Sequence, residues 1–390
     1  MKRDRFATVD AMIRALEPSY PVYCLHPQVL ADTARRFLDT FPGRVLYAVK
    51  CNPHPKVLQI LYDAGIRHFD TASLPEIAQV REQFRDAGAY FMHPVKARAA
   101  IRAAYEVYGI RDFVVDHPAE LKKVIDETGG EGVTCVVRIA TPAAGAAYDL
   151  SKKFGIRPAE AADVLKEAKS WGMQTGISFH VGSQCLLPRA YRTALEIVGD
   201  VLDAAKVELA MLDVGGGFPA AYQGVQLPPL ESYMAEIEAG LKTLNLRRDC
   251  VTMCEPGRAL VAGGMSLVTQ VLLRKDDQVY INDGIYGSLS EMVTARVQMP
   301  VRAVRLKGPL SQTGMDFTVA GPTCDSIDIL PFTFHLPDDL DEGDWIEIGQ
   351  VGAYGNALRT SFNGFYPDTF VEIDHAGENN SAVQARAAGA

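Results

Sequence analysis

The sequence predicts an α/β protein, with an N-terminal (β/α)8 barrel followed by a C-terminal, mostly β domain. Three observations predict it. Eight short apolar runs alternate with helix-like stretches over about 210 residues, the rhythm of a parallel barrel. Nearly every run stops at a polar residue or a glycine. After about residue 262 the helical periodicity fades, and short β-like runs broken by Gly, Pro and Asp take over. An open doubly wound sheet is the rival architecture. The count of eight and the lack of a G-x-G-x-x-G opening weigh against it.

In chain order, Thr8 to Leu16 reads as a helix that Pro18 should stop. Val22–Leu25 is a short strand, and a helix spans Pro27–Phe41. The first barrel strand is Val45–Lys50. The helix after it opens on Pro55, with proline in its first turn, and ends at Gly65. Ile66–Asp70 is the second strand. Ser73-Leu74-Pro75-Glu76 is a capping-box pattern for the next helix. Ala89–Met92, Ile110–Asp116 and Val133–Ile139 are the third to fifth strands, with helices after Pro94 and at Pro118. A longer connection, Ala140–Gly155, precedes a helix over Pro158–Trp171. Thr175–His180, Val207–Val214 and Val251–Glu255 complete the eight. Beyond them, Leu267–Leu273, Gln278–Ile281, Val301–Arg305, Phe317–Ala320, Trp345–Glu347 and Phe370–Ile373 read as strands. The expected divisions are 1–25 (a segment packing on the β domain), 26–262 (barrel), 263–375 (β domain) and 376–390 (flexible tail).

The composition is that of a soluble globular protein: 48% hydrophobic, 22% charged, formal net charge −9. No block of lysine and arginine offers a surface for nucleic acid or an anionic membrane. No apolar run approaches the ~20 residues of a membrane span, and no signal-peptide pattern follows Met1. The seven cysteines (Cys24, Cys51, Cys135, Cys185, Cys250, Cys254 and Cys324) form no C-x-x-C pair. Neither a disulfide framework nor a zinc site is expected, no metal is expected elsewhere, and reduced thiols point to a cytoplasmic protein.

In such a barrel the active site lies at the C-terminal ends of the strands. Those ends read Lys50, Asp70, His93, Asp116, Arg138, His180, Gly215-Gly216-Gly217 and Glu255, a polar ring suited to anions. The triple glycine and Glu255-Pro256-Gly257-Arg258 follow strands seven and eight, the usual phosphate position. Glycines let backbone N–H groups approach an anion, and Arg258 adds a charged donor. A triple glycine alone is more often just a turn; beside Arg258 the phosphate reading is stronger. A lone strand-end lysine is more often a rim cation. Beside a phosphate site, Lys50 is what pyridoxal 5'-phosphate (PLP) requires, an amine for its aldehyde. Glu255 is then placed to keep the pyridine nitrogen protonated, and His180 to lie against the ring.

Seven stretches carry a resemblance. They are Tyr47-Ala48-Val49-Lys50-Cys51-Asn52, Phe69-Asp70-Thr71-Ala72-Ser73, His180-Val181-Gly182-Ser183-Gln184, Asp213-Val214-Gly215-Gly216-Gly217-Phe218-Pro219, Glu255-Pro256-Gly257-Arg258, Gly321-Pro322-Thr323-Cys324-Asp325-Ser326-Ile327-Asp328 and Gly352-Ala353-Tyr354. In this order the chain resembles the ornithine/lysine/diaminopimelate/arginine decarboxylase family of alanine-racemase-like PLP enzymes. With Asn282–Ser288, the Cys-Asp pair is most similar to the ornithine/lysine branch.

The resemblance implies that Lys50 forms the Schiff base, Glu255 pairs with the pyridine nitrogen and His180 stacks on the ring. Ser183, Gly216, Gly217, Gly257, Arg258 and Tyr354 would hold the phosphate, with Asp70 and Arg138 supporting the cofactor. It also implies a homodimer with shared active sites. Cys324 would protonate Cα from the other subunit, and Asp325 beside it would bind the distal amine of a basic amino acid such as ornithine or lysine. Lys153 and Asp328 match a pair that joins subunits. Without the family, Cys324 reads as an ordinary buried thiol. One departure stands out: the second distal-amine acid of the ornithine branch falls on Ala295, next to Arg296. Glu291 or Glu347 is left to compensate, and Arg296 motivates a carboxylate-bearing substrate such as diaminopimelate as the alternative. Alanine racemase is a poorer match, because Cys324 with Asp325 does not fit its second base. A non-catalytic, regulator-binding homologue is the reading from another class; the presence of Lys50, Glu255, Arg258 and Cys324 argues against it.

Overall fold

The computed structural model describes residues 5–142, 145–147 and 151–374. The N-terminal strands are β1 (Arg5–Phe6) and β2 (Val22–Leu25). The next eight, β3 (Arg44–Ala48), β4 (His68–Thr71), β5 (Gly88–Phe91), β6 (Asp112–Val115), β7 (Thr134–Arg138), β8 (Gln174–Ser178), β9 (Met211–Asp213) and β10 (Val251–Cys254), form a closed parallel barrel. It closes where β10 meets β3, Met253 opposite Arg44 and Cys254 opposite Val45.

Strand alternation divides the barrel residues between two cores. Leu46, Val114, Val136, Met211 and Met253 make one buried cluster with Tyr90 and Met92. Their immediate neighbours Val45, Tyr47, Phe113, Val115, Cys135, Val137 and Cys254 belong instead to the large cluster with the helices, including Leu58, Leu121 and Leu165. Proline at the first or second position starts the helices Pro27–Thr40, Pro55–Asp63, Pro118–Thr128 and Pro158–Ser170, as the sequence predicts.

The second sheet gathers both ends of the described chain. Its later strands are β11 (Met265–Lys275), β12 (Gln278–Ile281), β13 (Val301–Val304), β14 (Gly314–Ala320), β15 (Phe334–Pro337), β16 (Trp345–Ile348) and β17 (Thr369–Ile373), in the order β1-β17-β2-β11-β12-β14-β15, with β16 bridging β11 and β13. Phe6, Met12, Ile13, Val22 and Cys24 share a core with Val268, Trp345 and Val371. The helix Val9–Leu16, N-capped by Thr8, ends on Glu17 in a left-handed conformation before Pro18. The tail expected at 376–390 lies outside the described residues.

Three differences from expectation stand out. The first barrel strand ends at Ala48, and Lys50 sits in a 3-10 turn, Val49–Cys51. That turn is held from the β domain: Tyr354 N–H donates to Cys51 O (2.8 Å) and the buried Asn52 amide donates to Gly352 O (2.9 Å). The seventh strand shrinks from Val207–Val214 to β9, with Ala205 ending the preceding helix. β15 has no counterpart among the expected strands; it pairs antiparallel with β14.

Candidate active site

A cavity of about 500 Å³ opens at the C-terminal ends of the barrel strands, lined by Lys50, Asp70, Arg138, His180, Ser183, Glu255, Arg258 and Tyr354, with His93, Lys153, Glu291, Thr294 and Leu358 around them. Eight residues singled out from the sequence thus converge, although they are spread over about 300 positions of chain.

Lys50 projects from its turn and donates to Asp70 Oδ2 at 2.6 Å. Asp70 is buried, whereas 45% of the lysine side chain remains reachable through the open cavity. Burial opposes the ammonium, but the charges of Asp70 and Glu255 outweigh it and raise the Lys50 pKa above its ordinary value.

Behind the lysine lies a carboxyl pair. Asp213 Oδ1 accepts the Gly215 N–H at 2.8 Å, and its other side meets Glu255. Burial pushes Asp213 up to about 6. Burial, then the charges of Asp213 and Asp70, raise Glu255 well above the ordinary carboxyl value too, so protonation of the two neighbours is linked. Asp213 was missed as a site residue, although it stands at a strand end directly before the glycines.

These carboxyls bind protons more tightly in the folded chain than in the unfolded one. Their contribution to stability is therefore full below about pH 4 and is lost as pH rises through about 6 for Asp213. In Asp213→Asn apoprotein, urea unfolding across that range should show a smaller loss, by up to about 1.4 kcal/mol per pH unit.

His180 is held neutral: burial, then the charges of Arg138 and Lys50, depress it well below the ordinary imidazole value. Its Nδ1 accepts the Gly182 N–H at 3.0 Å, which leaves the proton on Nε2. Gly216 makes room for the ring, since a Cβ there would meet Nε2 at 2.9 Å and Glu255 O at 2.7 Å. Gly217, at φ +114°, packs on Gly182 O, and a Cβ at Gly257 would press on Cys51 and Ala48 at 3.1 and 3.2 Å. The glycines are fixed here by close approach as well as by turn geometry.

Arg258 closes the far side. Nη1 donates to Tyr222 OH (2.8 Å), Nη2 to Ser183 Oγ (3.4 Å), and the Tyr354 ring centroid lies 5.1 Å from Cζ. Its Nε is buried without a hydrogen-bond partner. An orphaned guanidinium N–H beside glycine backbone suits an incoming phosphate. Nothing in the sequence pointed to Tyr222, whose role arises from tertiary contact alone.

Other residues lie elsewhere. Asp116, expected in the polar ring, accepts the Gly155 N–H at 2.9 Å and is absent from the cavity lining. Cys324 and Asp325 sit on an exposed β-domain loop outside the cavity; Cys324, read without the family as a buried thiol, is solvent-exposed. Cys324 N–H donates to Asn363 Oδ1 (3.0 Å). Asp325 accepts Tyr286 OH at 2.5 Å, and this bond, then the Ile327 N–H, lowers its pKa. Asp328 is buried and accepts the Ile285 N–H (3.0 Å) and the Thr323 hydroxyl (2.7 Å). Lys153 lies over Phe154 at the cavity, so no Lys153–Asp328 pair forms within the chain. Ala295 and Arg296 are outside the lining, and Glu347 is buried against Arg302 and Ser266 in the second sheet. Glu347 is therefore excluded as a compensating acid. Glu291 does line the cavity, but paired with Arg258.

Comparison with known proteins agrees with this geometry. The family model "Pyridoxal-dependent decarboxylase, pyridoxal binding domain" matches residues 28–262. A lysine/ornithine decarboxylase of Selenomonas ruminantium is 35% identical over 336 residues, 83% of this chain and 81% of that one. Antizyme inhibitor 2 of Xenopus laevis is 32% identical over 374 residues, 86% of this chain and 78% of that one. The structure of the lysine/ornithine decarboxylase of Vibrio vulnificus, complexed with putrescine, superimposes with a TM-score of 0.81 at 30% identity, covering 94% of this chain and 97% of that one. The chain belongs to the pyridoxal-dependent decarboxylase family, and it is a PLP-dependent amino-acid decarboxylase.

Proposed function

We propose that the enzyme decarboxylates a basic L-amino acid, ornithine or lysine, to its diamine. The observation that carries the reading is the pairing, in one cavity, of the Lys50 amine held at 2.6 Å by Asp70 with a guanidinium, Arg258, whose Nε lacks a partner. PLP, when bound, supplies the electron sink for the carbanion left by departing carbon dioxide. Lys50 would tether the cofactor between turnovers, with Asp70 holding its amine. Glu255, backed by Asp213, would bring its proton to the pyridine nitrogen. Neutral His180 would lie against the ring without adding charge. Ser183, Gly216, Gly217, Gly257, Arg258 and Tyr354 would cradle the phosphate, and Arg138 would support the cofactor from the strand end.

The chain's own Cys324 and Asp325 do not reach the cavity, which supports a homodimer in which Cys324 of the partner subunit returns the proton to Cα. Asp325 of the partner subunit would hold the distal ammonium. The likeness to lysine/ornithine decarboxylases supports this choice of substrate. The position of Arg296 outside the cavity weighs against a carboxylate-bearing substrate. Among the described residues no helix is long and apolar enough to cross a membrane, and we place the enzyme in cytoplasmic polyamine synthesis.

Carbon dioxide release from ornithine, lysine, arginine and diaminopimelate tests the substrate. Turnover confined to the last two would overturn the reading. The shared site has its own test. Lys50→Ala and Cys324→Ala proteins should each be nearly inactive, and mixing them should restore roughly a quarter of wild-type activity through the one intact site of each mixed dimer. No recovery on mixing would place both residues in the same subunit's site.

A further inference from the structure

The cation of the phosphate cradle already has a counter-ion within the chain. Arg258 Nη1 lies 2.6 Å from Glu291 Oε2, and both side chains are only 4% exposed. Oε2 has no aligned hydrogen-bond partner, so charge, not a directed bond, holds the contact. The other carboxylate oxygen accepts only a long contact, 3.4 Å from Thr294 Oγ1. Glu291 and Thr294 both belong to the one-turn helix Ser290–Thr294, and both line the cavity beside Arg258. A phosphate reaching Arg258 therefore arrives against a carboxylate that already holds the guanidinium. Both side chains are buried, so solvent screens the two anions only weakly.

We propose that Glu291 is a displaceable counter-ion of the phosphate cradle: it neutralises buried Arg258 in the apoprotein, and its repulsion of the phosphate sets how tightly the cofactor is held. The proposal rests on reading Arg258 as a phosphate ligand. The weak second contact lets the carboxylate swing toward Thr294 when the phosphate takes the guanidinium. A carboxylate that merely positioned Arg258 would act in the opposite direction, because its removal would weaken the cofactor.

The sign can be read without turnover. Apoprotein stripped of cofactor is titrated with PLP, with pyridoxal and with inorganic phosphate, by fluorescence quenching or calorimetry. Glu291→Gln should bind PLP and phosphate at least about fivefold more tightly than wild type, with pyridoxal changed by less than about twofold. Its apoprotein should melt lower than wild type, with a smaller difference once PLP is bound. Equal or weaker PLP binding, or an equal gain for pyridoxal, overturns the proposal. Should Glu291→Gln fail to fold, Glu291→Asp keeps the charge but shortens the reach. It should tighten PLP by about two- to threefold, and no gain overturns the proposal. Arg258→Ala is titrated alongside. If it keeps wild-type affinity for PLP, the phosphate reading itself fails; if it loses affinity while Glu291→Gln gains none, only the counter-ion role fails.

Discussion

Lys50→Ala protein is expected to lose both the visible absorbance of lysine-bound cofactor and decarboxylase activity, the latter by more than roughly 10³-fold. In the proposed function the amine is the nucleophile, and the Asp70 contact at 2.6 Å fixes where it stands. Its loss also removes the cation that faces Asp70 and Glu255, and Glu255 and its neighbour Asp213 already have raised pKa values. The alanine apoprotein should therefore be less stable above about pH 6 than wild type. Lys50→Arg separates the two effects. Arginine retains the charge beside Asp70 but cannot give up a proton to act as an amine nucleophile. It should restore the stability and leave the absorbance and the activity missing. Activity within about tenfold of wild type in Lys50→Arg would show that the side chain acts only as a charge.

Arg258→Ala is expected to have the largest combined effect on stability and cofactor affinity. Glu291 is buried, so removing its cation strands a carboxylate, and breaking such a pair costs about 3–5 kcal/mol. Tyr222 and Ser183 lose a partner as well. The proposed phosphate cradle loses its charged donor, and PLP affinity should fall by about 100-fold or more. The double change Arg258→Met with Glu291→Gln should regain most of the stability but not the affinity, because no charge is then left buried and no cation is left for the phosphate. Denaturant unfolding of the apoproteins and PLP titration measure the two quantities separately. A single Arg258→Ala variant with wild-type stability would mean that Glu291 escapes to solvent when unpaired.

Much of the mouth of the barrel was legible because strand ends are local features. A run such as Val45–Ala48 advertises its strand by length and branching, and the residue that follows it stands near the rim whatever the rest of the chain does. Glycines forced by close approach leave a mark of their own, as at Gly216 against His180. Asp116 shows the limit of this reasoning: it sits at a strand end like the others, yet it turns to the Gly155 N–H instead of the cavity. Sequence position gives a residue's height in the barrel and not the direction in which its side chain is pulled.

By itself, then, the order of residues determined the barrel, the β region after it, and the lysine, acid and arginine that line one cavity. These depend on periodicity within short windows, which the backbone geometry of strand and helix imposes. Tertiary structure decided the rest. It bent the chain at Val49–Cys51 because Tyr354 and Gly352 grip that turn from some 300 residues away. It set Asp213 behind Glu255 through the pairing of β9 with β10, and Glu291 against Arg258 through the docking of a one-turn helix. It also left Cys324 and Asp325 outside their own chain's cavity. Contacts of this kind are fixed by how the sheet closes and how the second sheet seats on it, long-range registers that no local pattern encodes.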